Sequence, residues 1–217
     1  MVKDYKLKIV FYKELPSTQL FLKEQIQKSI INENIAIYAQ RQTAGIGSRN
    51  NSWQTQEGNF YCSFAIQKKD LPCDLPLASA SIYYSCILQQ LLQKKGSKVW
   101  LKWPNDLYIQ EKKIGGMITH MVGEFLVCGV GINLLSAPKE SALLDIKISS
   151  KNLIELYMKD IEKKELWKQV FSKYKLEFAR NKDFFAHHNG NKFSLRDAIL
   201  EDDGSLSIDG ERIYSLR

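Results

Sequence analysis

The 217-residue sequence has no long hydrophobic run, and it has few of the cysteines and histidines that form disulfides or bind metal ions in small proteins. No stretch of about 18 apolar residues occurs, and the N-terminus has no apolar signal core, which argues against a membrane-spanning or secreted chain. The four cysteines are scattered without a Cys-x-x-Cys pair, which predicts reduced, mostly buried thiols and no metal cluster. We therefore expect a cytoplasmic protein with no membrane partner.

Several familiar catalytic patterns are also missing. The three histidines have no metal-ligand spacing with cysteines or acidic residues, and no Ser-His-Asp or Cys-His set is readable. The glycine-rich stretch 45–49 lacks the Gly-Lys-Ser/Thr ending of a Walker A motif and the third glycine of a dinucleotide fingerprint. These absences argue against a zinc enzyme, a triad hydrolase and a P-loop or Rossmann protein.

Acidic residues are too few to balance the basic ones. Lys+Arg exceed Asp+Glu by 31 − 24 = 7, which favours nucleic acid, nucleotide phosphates or an acidic protein as a partner. A nucleic-acid-binding module predicts lysines clustered among exposed aromatic residues. The lysines here are spread along the chain, so we expect no DNA partner and keep such a module as the alternative from a different class.

The hydrophobic pattern predicts an α+β fold. Helices are expected over about 19–31, N-capped by Ser17 or Thr18, over 76–95, and over 151–180 with a break near Lys164. Asp203-Gly204 and Asp209-Gly210 are strong hairpin-turn signals in a strand-rich tail. The predicted strands of the main part of the chain cover residues 5–12, 35–42, 59–66, 98–103, 113–121 and 124–133.

The densest chemistry lies in the run Lys102-Trp103-Pro104-Asn105-Asp106, which is followed seven residues after the aspartate by Lys113 and then by Gly115 and Gly116. A core strand does not need a cation, an indole, an amide and a carboxylate in one short segment. A site for an anionic substrate beside a nucleotide could use all of them. The alternative is a strand end with an Asn-Asp turn and two solvated lysines.

Three further segments carry candidate binding groups, each with a plain structural alternative. Gly45 and Gly47 let a loop approach a ligand closely, although a surface loop would look the same. Gly129, Gly131 and Asn133 share one strand face and could form a slot with an amide that reads a purine edge, or else a bulged core strand whose Asn133 caps the next turn. Ser-Thr-Gln at 17–19 could bind a polar head group or simply cap a helix.

The order of these motifs resembles that of biotin protein ligases, also called biotin–[acetyl-CoA-carboxylase] ligases, over residues 15–135. The resemblance implies a class II synthetase-like catalytic domain with a mixed sheet flanked by helices (1–180), followed by a small, trimmed SH3-like β domain (181–217). It implies a monofunctional ligase without the N-terminal DNA-binding domain of some members. The substrates would be biotin and ATP with Mg²⁺, and the partner a biotin carboxyl carrier protein. A lipoate–protein ligase of the same fold is the nearest alternative, and homodimer formation is left open.

The resemblance also implies a role for each matched residue, whereas the metal ligands are not readable. Catalysis would fall to Lys113, Arg49 and Asp106. Biotin would be bound by Ser17, Thr18, Gln42, Gly45, Gly47, Lys113, Gly115 and Gly116. ATP and the adenylate would be bound by Arg49, Trp53, Asn105, Lys113, Gly131 and Asn133.

The chain departs from the family pattern in the glycine loop. Ile46 and Ser48 stand where the family usually has arginines, and Gln19 stands where asparagine is more common. We expect Arg49 to carry more of the positive charge that the loop needs. The departures predict altered affinity and altered retention of the adenylate rather than a different reaction.

Overall fold

A seven-stranded mixed sheet forms the centre of the molecule in the computed structural model, which describes residues 6–47, 53, 56–188 and 191–215. Its strands are β1 (Lys8–Leu15), β2 (Ile35–Gln42), β3 (Phe60–Gln67), β4 (Trp100–Lys102), β5 (Asp106–Ile109), β6 (Lys112–Val122) and β7 (Phe125–Ile132). The spatial order is β1-β2-β3-β7-β6-β5-β4. Only the β1–β2 pair of this sheet is parallel, and helix α1 (Thr18–Gln27) makes the crossover that such a pair requires.

Helices cover both faces of the sheet, which confirms the predicted α+β arrangement. Alternate residues of the central strands face opposite sides, so Phe64 and Cys128 join the larger core while Ala65 and Val127 lie under α1. The larger core is covered by α2 (Ala80–Lys94), α3 (Ser150–Ile161) and α4 (Trp167–Glu177). None of the helices in the described ranges is long and apolar enough to cross a membrane.

Local backbone geometry sets where the helices begin and end. Ser17 caps α1, because its side chain accepts a hydrogen bond from the Leu20 amide at 3.4 Å, as the sequence predicts. The helix ends at Gln27 instead of residue 31, since Ser29 has a left-handed φ of 57°. The predicted break near Lys164 is confirmed by its φ of 48° between α3 and α4.

The segment 98–109 differs from its prediction in one respect. The expected strand is present as β4 and stops before Pro104, but the turn expected at Asn105-Asp106 is wrong for Asp106, which begins β5. Asp106 pairs with Lys102 on one side and with Gly116 of β6 on the other. This extra strand brings the carboxylate of Asp106 beside the second half of the motif.

The C-terminal segment contains two small antiparallel sheets. One consists of β8 (Phe185–His188) and β9 (Asn191–Ser194), and the other of β10 (Ile199–Leu200), β11 (Leu206–Ile208) and β12 (Glu211–Ile213). The strand-rich tail is confirmed, and Asp203-Gly204 and Asp209-Gly210 lie in turns of the second sheet. Leu195 and Leu206 pack into the same hydrophobic cluster as the main sheet. The division into two domains at residue 180 stays a prediction.

Contacts with this C-terminal segment hold Trp103 away from the cavity described below. The Trp103 amide donates to Oδ1 of the fully buried Asn181 at 2.7 Å, and its indole Nε1 donates to the Gly204 carbonyl at 2.9 Å. Trp103 is therefore a structural anchor. Its anchoring leaves the following amide and carboxylate, Asn105 and Asp106, on the cavity side.

Candidate functional site

A cavity of about 300 Å³ opens on the sheet face that carries α1. Small residues on adjacent strands leave the space, because Gly129 and Gly131 of β7 face it where larger side chains would fill it. The cavity brings together most of the predicted site residues: Ser17, Thr18, Gln42, Gly47, Trp53, Asn105, Asp106, Lys113, Gly116, Gly131 and Asn133. Segments that are far apart in the sequence thus converge on one site.

Three predicted residues are not on the described wall. Gly45 lies beside the cavity, where its carbonyl accepts a hydrogen bond from the Trp53 amide at 2.9 Å. Gly115 is buried in β6, and a Cβ there would lie 2.5 Å from the Gly131 carbonyl oxygen, so the position needs glycine for close strand pairing. Arg49, together with the rest of segment 48–52, lies outside the described residues.

One end of the cavity is uncharged, and we call it the neutral end. It consists of Ser17, Thr18, Gln19, Gln42 and Ser63, none of which is more than 7% exposed. Gln42 Oε1 accepts from the Thr18 amide at 2.7 Å and from Thr18 Oγ1 at 3.1 Å. The two hydroxyls of Thr18 and Ser63 are 2.8 Å apart. Mutual hydrogen bonds therefore hold these side chains in place.

Residues from three elements build the neutral end. The N-terminus of α1 supplies Ser17, Thr18 and Gln19, the last residue of β2 is Gln42, and the middle of β3 supplies Ser63. Ser63 was not predicted from the sequence. Its role depends on its register opposite Gly129, 66 positions further along the chain, and local sequence patterns carry no signal for that pairing.

The opposite end carries charge, and we call it the charged end. It consists of Trp53, Asn105, Asp106 and Lys113. Lys113 Nζ lies 2.6 Å from Asp106 Oδ1 and 5.7 Å from the centroid of the Trp53 ring. The Lys113 and Asp106 side chains are 33% and 24% exposed, so water and ligands can reach the pair. The Asn105 amide nitrogen donates to the Met117 carbonyl and anchors the turn.

Asn133 lies at the end of the glycine face, as predicted. It is buried, and its Nδ2 donates to the Ala142 carbonyl at 3.2 Å. The alternative role of capping the following turn belongs instead to Asn59, whose Oδ1 accepts from the amides of residues 134–136 at 2.9 to 3.2 Å. The side chain of Asn133 is thus not used up by the local turn.

Two buried polar atoms on the cavity wall have no hydrogen-bond partner. They are Gln19 Oε1 at the neutral end and Trp53 Nε1 at the charged end, and within the described residues the other two such atoms lie on Ser85 and Tyr174. Buried polar atoms are nearly always satisfied. An unsatisfied acceptor and an unsatisfied donor on one cavity wall are therefore places where a ligand can bind.

Two titratable side chains near the neutral end, Tyr61 and His120, have pKa values shifted in favour of their uncharged forms. Burial raises the pKa of Tyr61, whose hydroxyl donates to the Gln56 carbonyl at 2.8 Å. Burial and the charge of Lys23 lower the pKa of His120, which lies behind Gln19 with Nδ1 3.4 Å from Gln19 Nε2. The charge in the described part of the cavity is therefore concentrated at Asp106 and Lys113.

Comparisons with known proteins agree with this geometry. The family model of biotin/lipoate A/B protein ligases matches residues 11–134, and the chain belongs to that family. It is 38% identical to the biotin acetyl coenzyme A carboxylase synthetase of Helicobacter pylori, solved with bound biotinylated ATP; the TM-score is 0.91, covering 96% of this chain and 100% of that one. The predicted biotin ligase catalytic fold is thereby confirmed.

Two further relatives have lower sequence identity to this chain. The biotin protein ligase of Aquifex aeolicus, solved with biotin and ATP, is 23% identical with a TM-score of 0.78 over 97% of this chain and 96% of that one, and it shares the fold. The bifunctional ligase/repressor BirA of Bacillus subtilis is 28% identical over 137 residues, which are 61% of this chain and 42% of that protein. The chain thus matches less than half the length of this curated relative.

Proposed function

We propose that the chain is an ATP-dependent biotin–protein ligase. It activates biotin as biotinyl-5′-AMP with release of pyrophosphate, and then transfers biotin to a lysine of a biotin carboxyl carrier protein. The observation that carries the proposal is a single cavity with a buried hydrogen-bonding end and a lysine–carboxylate pair at the other end. The similarity to the Helicobacter pylori synthetase along the whole of that chain supports it.

The neutral end suits the head group of biotin. The ureido ring of biotin has two N–H donors and one carbonyl acceptor, and it carries no charge. The neutral end offers hydroxyls and amide oxygens that are buried and already oriented by one another. A dithiolane ring, as in lipoate, has no N–H donors and would leave the buried acceptor Gln19 Oε1 without a partner, so biotin is the better match.

The charged end suits the first half-reaction. There the biotin carboxylate attacks the α-phosphate of ATP, and two anions must come together before pyrophosphate can leave. Lys113 supplies a cation between them, and positioned charge of this kind is a large contribution to catalysis. Because Lys113 is paired with Asp106 before substrate arrives, substrate binding exchanges one carboxylate partner for another.

The residues present also fit a magnesium ion. No group of three or more His, Cys, Asp or Glu side chains that could hold a metal occurs in the described ranges. Mg²⁺ bound with a nucleotide needs only one or two carboxylates besides the phosphates, and Asp106 is the carboxylate on the described cavity wall. When bound, the ion neutralises phosphate charge.

In the second half-reaction, the amine of the carrier lysine attacks the acyl carbon and releases AMP. Asp106 is partly exposed and can accept a hydrogen bond from that amine. An ordinary aspartate is a weak base at neutral pH. The role of Asp106 is therefore to orient the amine, and we do not expect it to remove the amine proton by itself.

The cellular setting follows from the same proposal. We expect the reaction to take place in the cytoplasm with the carrier domain of acetyl-CoA carboxylase as the protein substrate. A homodimer could form by pairing of β1, which is an edge strand of the main sheet. Sedimentation at several protein concentrations would establish whether the chain self-associates.

The test measures pyrophosphate release from ATP and Mg²⁺ with biotin, with lipoate or with no acid, followed by mass spectrometry of an added biotin carboxyl carrier domain. We expect release only with biotin, and one biotinyl group on one carrier lysine. Release only with lipoate would instead make the chain a lipoate–protein ligase. No release from folded protein would contradict the proposed activity.

A further inference from the structure

Gln19 lies on the cavity wall, and the oxygen of its side-chain amide has no hydrogen-bond partner. It is the second residue of α1 and only 3% exposed. Its Oε1 is one of the buried atoms without a partner, and it sits directly over Gly129, where an added Cβ would lie only 2.4 Å away. The glycine thus leaves room for this oxygen at the cavity wall.

The surroundings determine which end of the amide faces the cavity. Gln19 Nε2 lies 3.4 Å from the Val127 carbonyl oxygen and 3.4 Å from His120 Nδ1. A carbonyl can only accept, so the nitrogen must face it. The lowered pKa of His120 favours its neutral ring, which can accept at Nδ1 as well. The oxygen of Gln19 is therefore held on the side of Gly129, which also lines the cavity.

The neighbouring hydroxyls show what kind of ligand group is missing. Thr18 Oγ1 donates its one hydrogen to Gln42 Oε1, so the contact between Thr18 and Ser63 must be a hydrogen bond donated by Ser63. Ser63 then presents only lone pairs, and its Oγ lies 3.3 Å from the position that a Cβ on Gly129 would take, beside Gln19 Oε1. Two acceptors therefore lie next to one another at the cavity wall, and a ligand with two N–H donors satisfies both.

We propose that Gln19 is a specificity-determining residue whose Oε1 accepts a hydrogen bond from one ureido N–H of the substrate. The inference rests on the proposed function, because it assumes that biotin occupies this cavity. A head group without N–H donors leaves Gln19 Oε1 buried and unpaired, and sites built around such a group reject ligands that cannot pair with it. Gln19 is thus a binding group rather than only part of a helix cap.

The experiment compares Gln19→Met with wild type by calorimetric titration of biotin and of octanoate, an acid without N–H groups, in the absence of ATP. Methionine keeps the length of the side chain but removes the acceptor. We expect the biotin Kd to rise by about ten- to hundred-fold and the octanoate Kd to stay equal or fall.

Gln89→Met is the matched control, since Gln89 is equally buried but bonds to Glu177 between helices. It should leave the biotin Kd unchanged. An unchanged biotin Kd in folded Gln19→Met protein would overturn the inference while leaving the ligase activity intact. Failure of the wild type to bind biotin or to release pyrophosphate would instead count against the proposed function itself.

A ligand-side measurement covers the case in which Gln19→Met does not fold. Wild-type protein is titrated with desthiobiotin and with its two cyclic carbamate analogues, in each of which one ureido N–H is replaced by oxygen. We expect both analogues to bind at least about tenfold more weakly, because each puts an oxygen against a buried acceptor. Binding of both analogues as tight as that of desthiobiotin would contradict the inference.

Discussion

The two ends of the cavity are built in different ways. At the neutral end, Thr18, Gln42 and Ser63 are buried and bonded to one another. At the charged end, Lys113 and Asp106 are partly exposed and held mainly by their mutual ion pair. A buried network is rigid and resists a mismatched ligand, whereas an exposed ion pair is weak and exchanges partners readily. On the proposed function, the neutral end therefore recognises biotin and the charged end carries the chemistry.

The largest expected effect is at the charged end. Lys113→Ala should lower biotin-dependent pyrophosphate release by about 100- to 1,000-fold, because the cation between the two anions is lost. Its unfolding temperature and its affinity for biotin alone should change little, since the ion pair is partly exposed. Stopped-time pyrophosphate assays with calorimetry on the same samples would check both. Near-normal release would remove Lys113 from the reaction.

A smaller effect of a different kind is expected at the neutral end. Thr18→Val removes the hydroxyl between Gln42 and Ser63, so the buried Ser63 hydroxyl loses its acceptor and Gln42 Oε1 loses one of its donors. We expect a biotin Kd raised about ten- to hundred-fold and a loss of about 1–3 kcal/mol in the free energy of unfolding. Denaturant melts and titrations would measure these quantities. A lowered kcat at saturating biotin, with normal affinity, would break the division between the two ends.

A pair of glycine variants tests the two ends separately, because Gly129 and Gly131 lie two residues apart on one strand face but next to different ends of the cavity. A Cβ at Gly129 would lie 2.4 Å from Gln19 Oε1, and one at Gly131 would lie 3.0 Å from the Trp53 ring. Gly129→Ala should therefore weaken biotin binding, and Gly131→Ala should raise the KM for ATP, each by about tenfold. The two variants serve as controls for one another. Equal effects on both ligands would show that the ends are not separable.

The smallest effect on adenylation is expected for Asp106→Asn. This change frees Lys113 from its partner but leaves the cation in place, and the asparagine oxygen can still coordinate Mg²⁺, so pyrophosphate release should stay within about tenfold of wild type. Transfer from preformed biotinyl-5′-AMP to the carrier should fall more, because the group that orients the amine is altered. Single-turnover assays of the two half-reactions separate these steps. A larger loss in adenylation than in transfer would reverse the role given to Asp106.

The two ends also differ in how well the sequence predicts them. The charged end is predicted because most of it lies in one contiguous motif, from Lys102 to Lys113, whose residue types have no structural use in a plain strand. Ser63 is missed because its place depends on the β3–β7 register. The presence of Gln19 at the site is visible from the sequence, but the direction of its amide depends on Val127 and His120 from the sheet.

Fold prediction fails in a comparable way where local signals compete. Strand β5 is missed because Asn105-Asp106 has the composition of a turn, whereas pairing with both β4 and β6 makes Asp106 extended. Helix α1 is predicted too long because its apolar spacing continues past Gln27, although the backbone turns at Ser29. The first error arises from strand pairing that overrides local preference, and the second from a backbone turn that the apolar spacing does not reveal.

The most direct test of the account compares biotin with biotinol, in which a hydroxymethyl group replaces the carboxylate. Binding to the ATP-free protein and pyrophosphate release with ATP and Mg²⁺ are measured on the same preparation. We expect the two Kd values to agree within about tenfold, since recognition rests on the neutral end, and pyrophosphate to appear only with biotin. Failure of biotinol to bind, or release that is independent of biotin, would contradict the separation of recognition from chemistry.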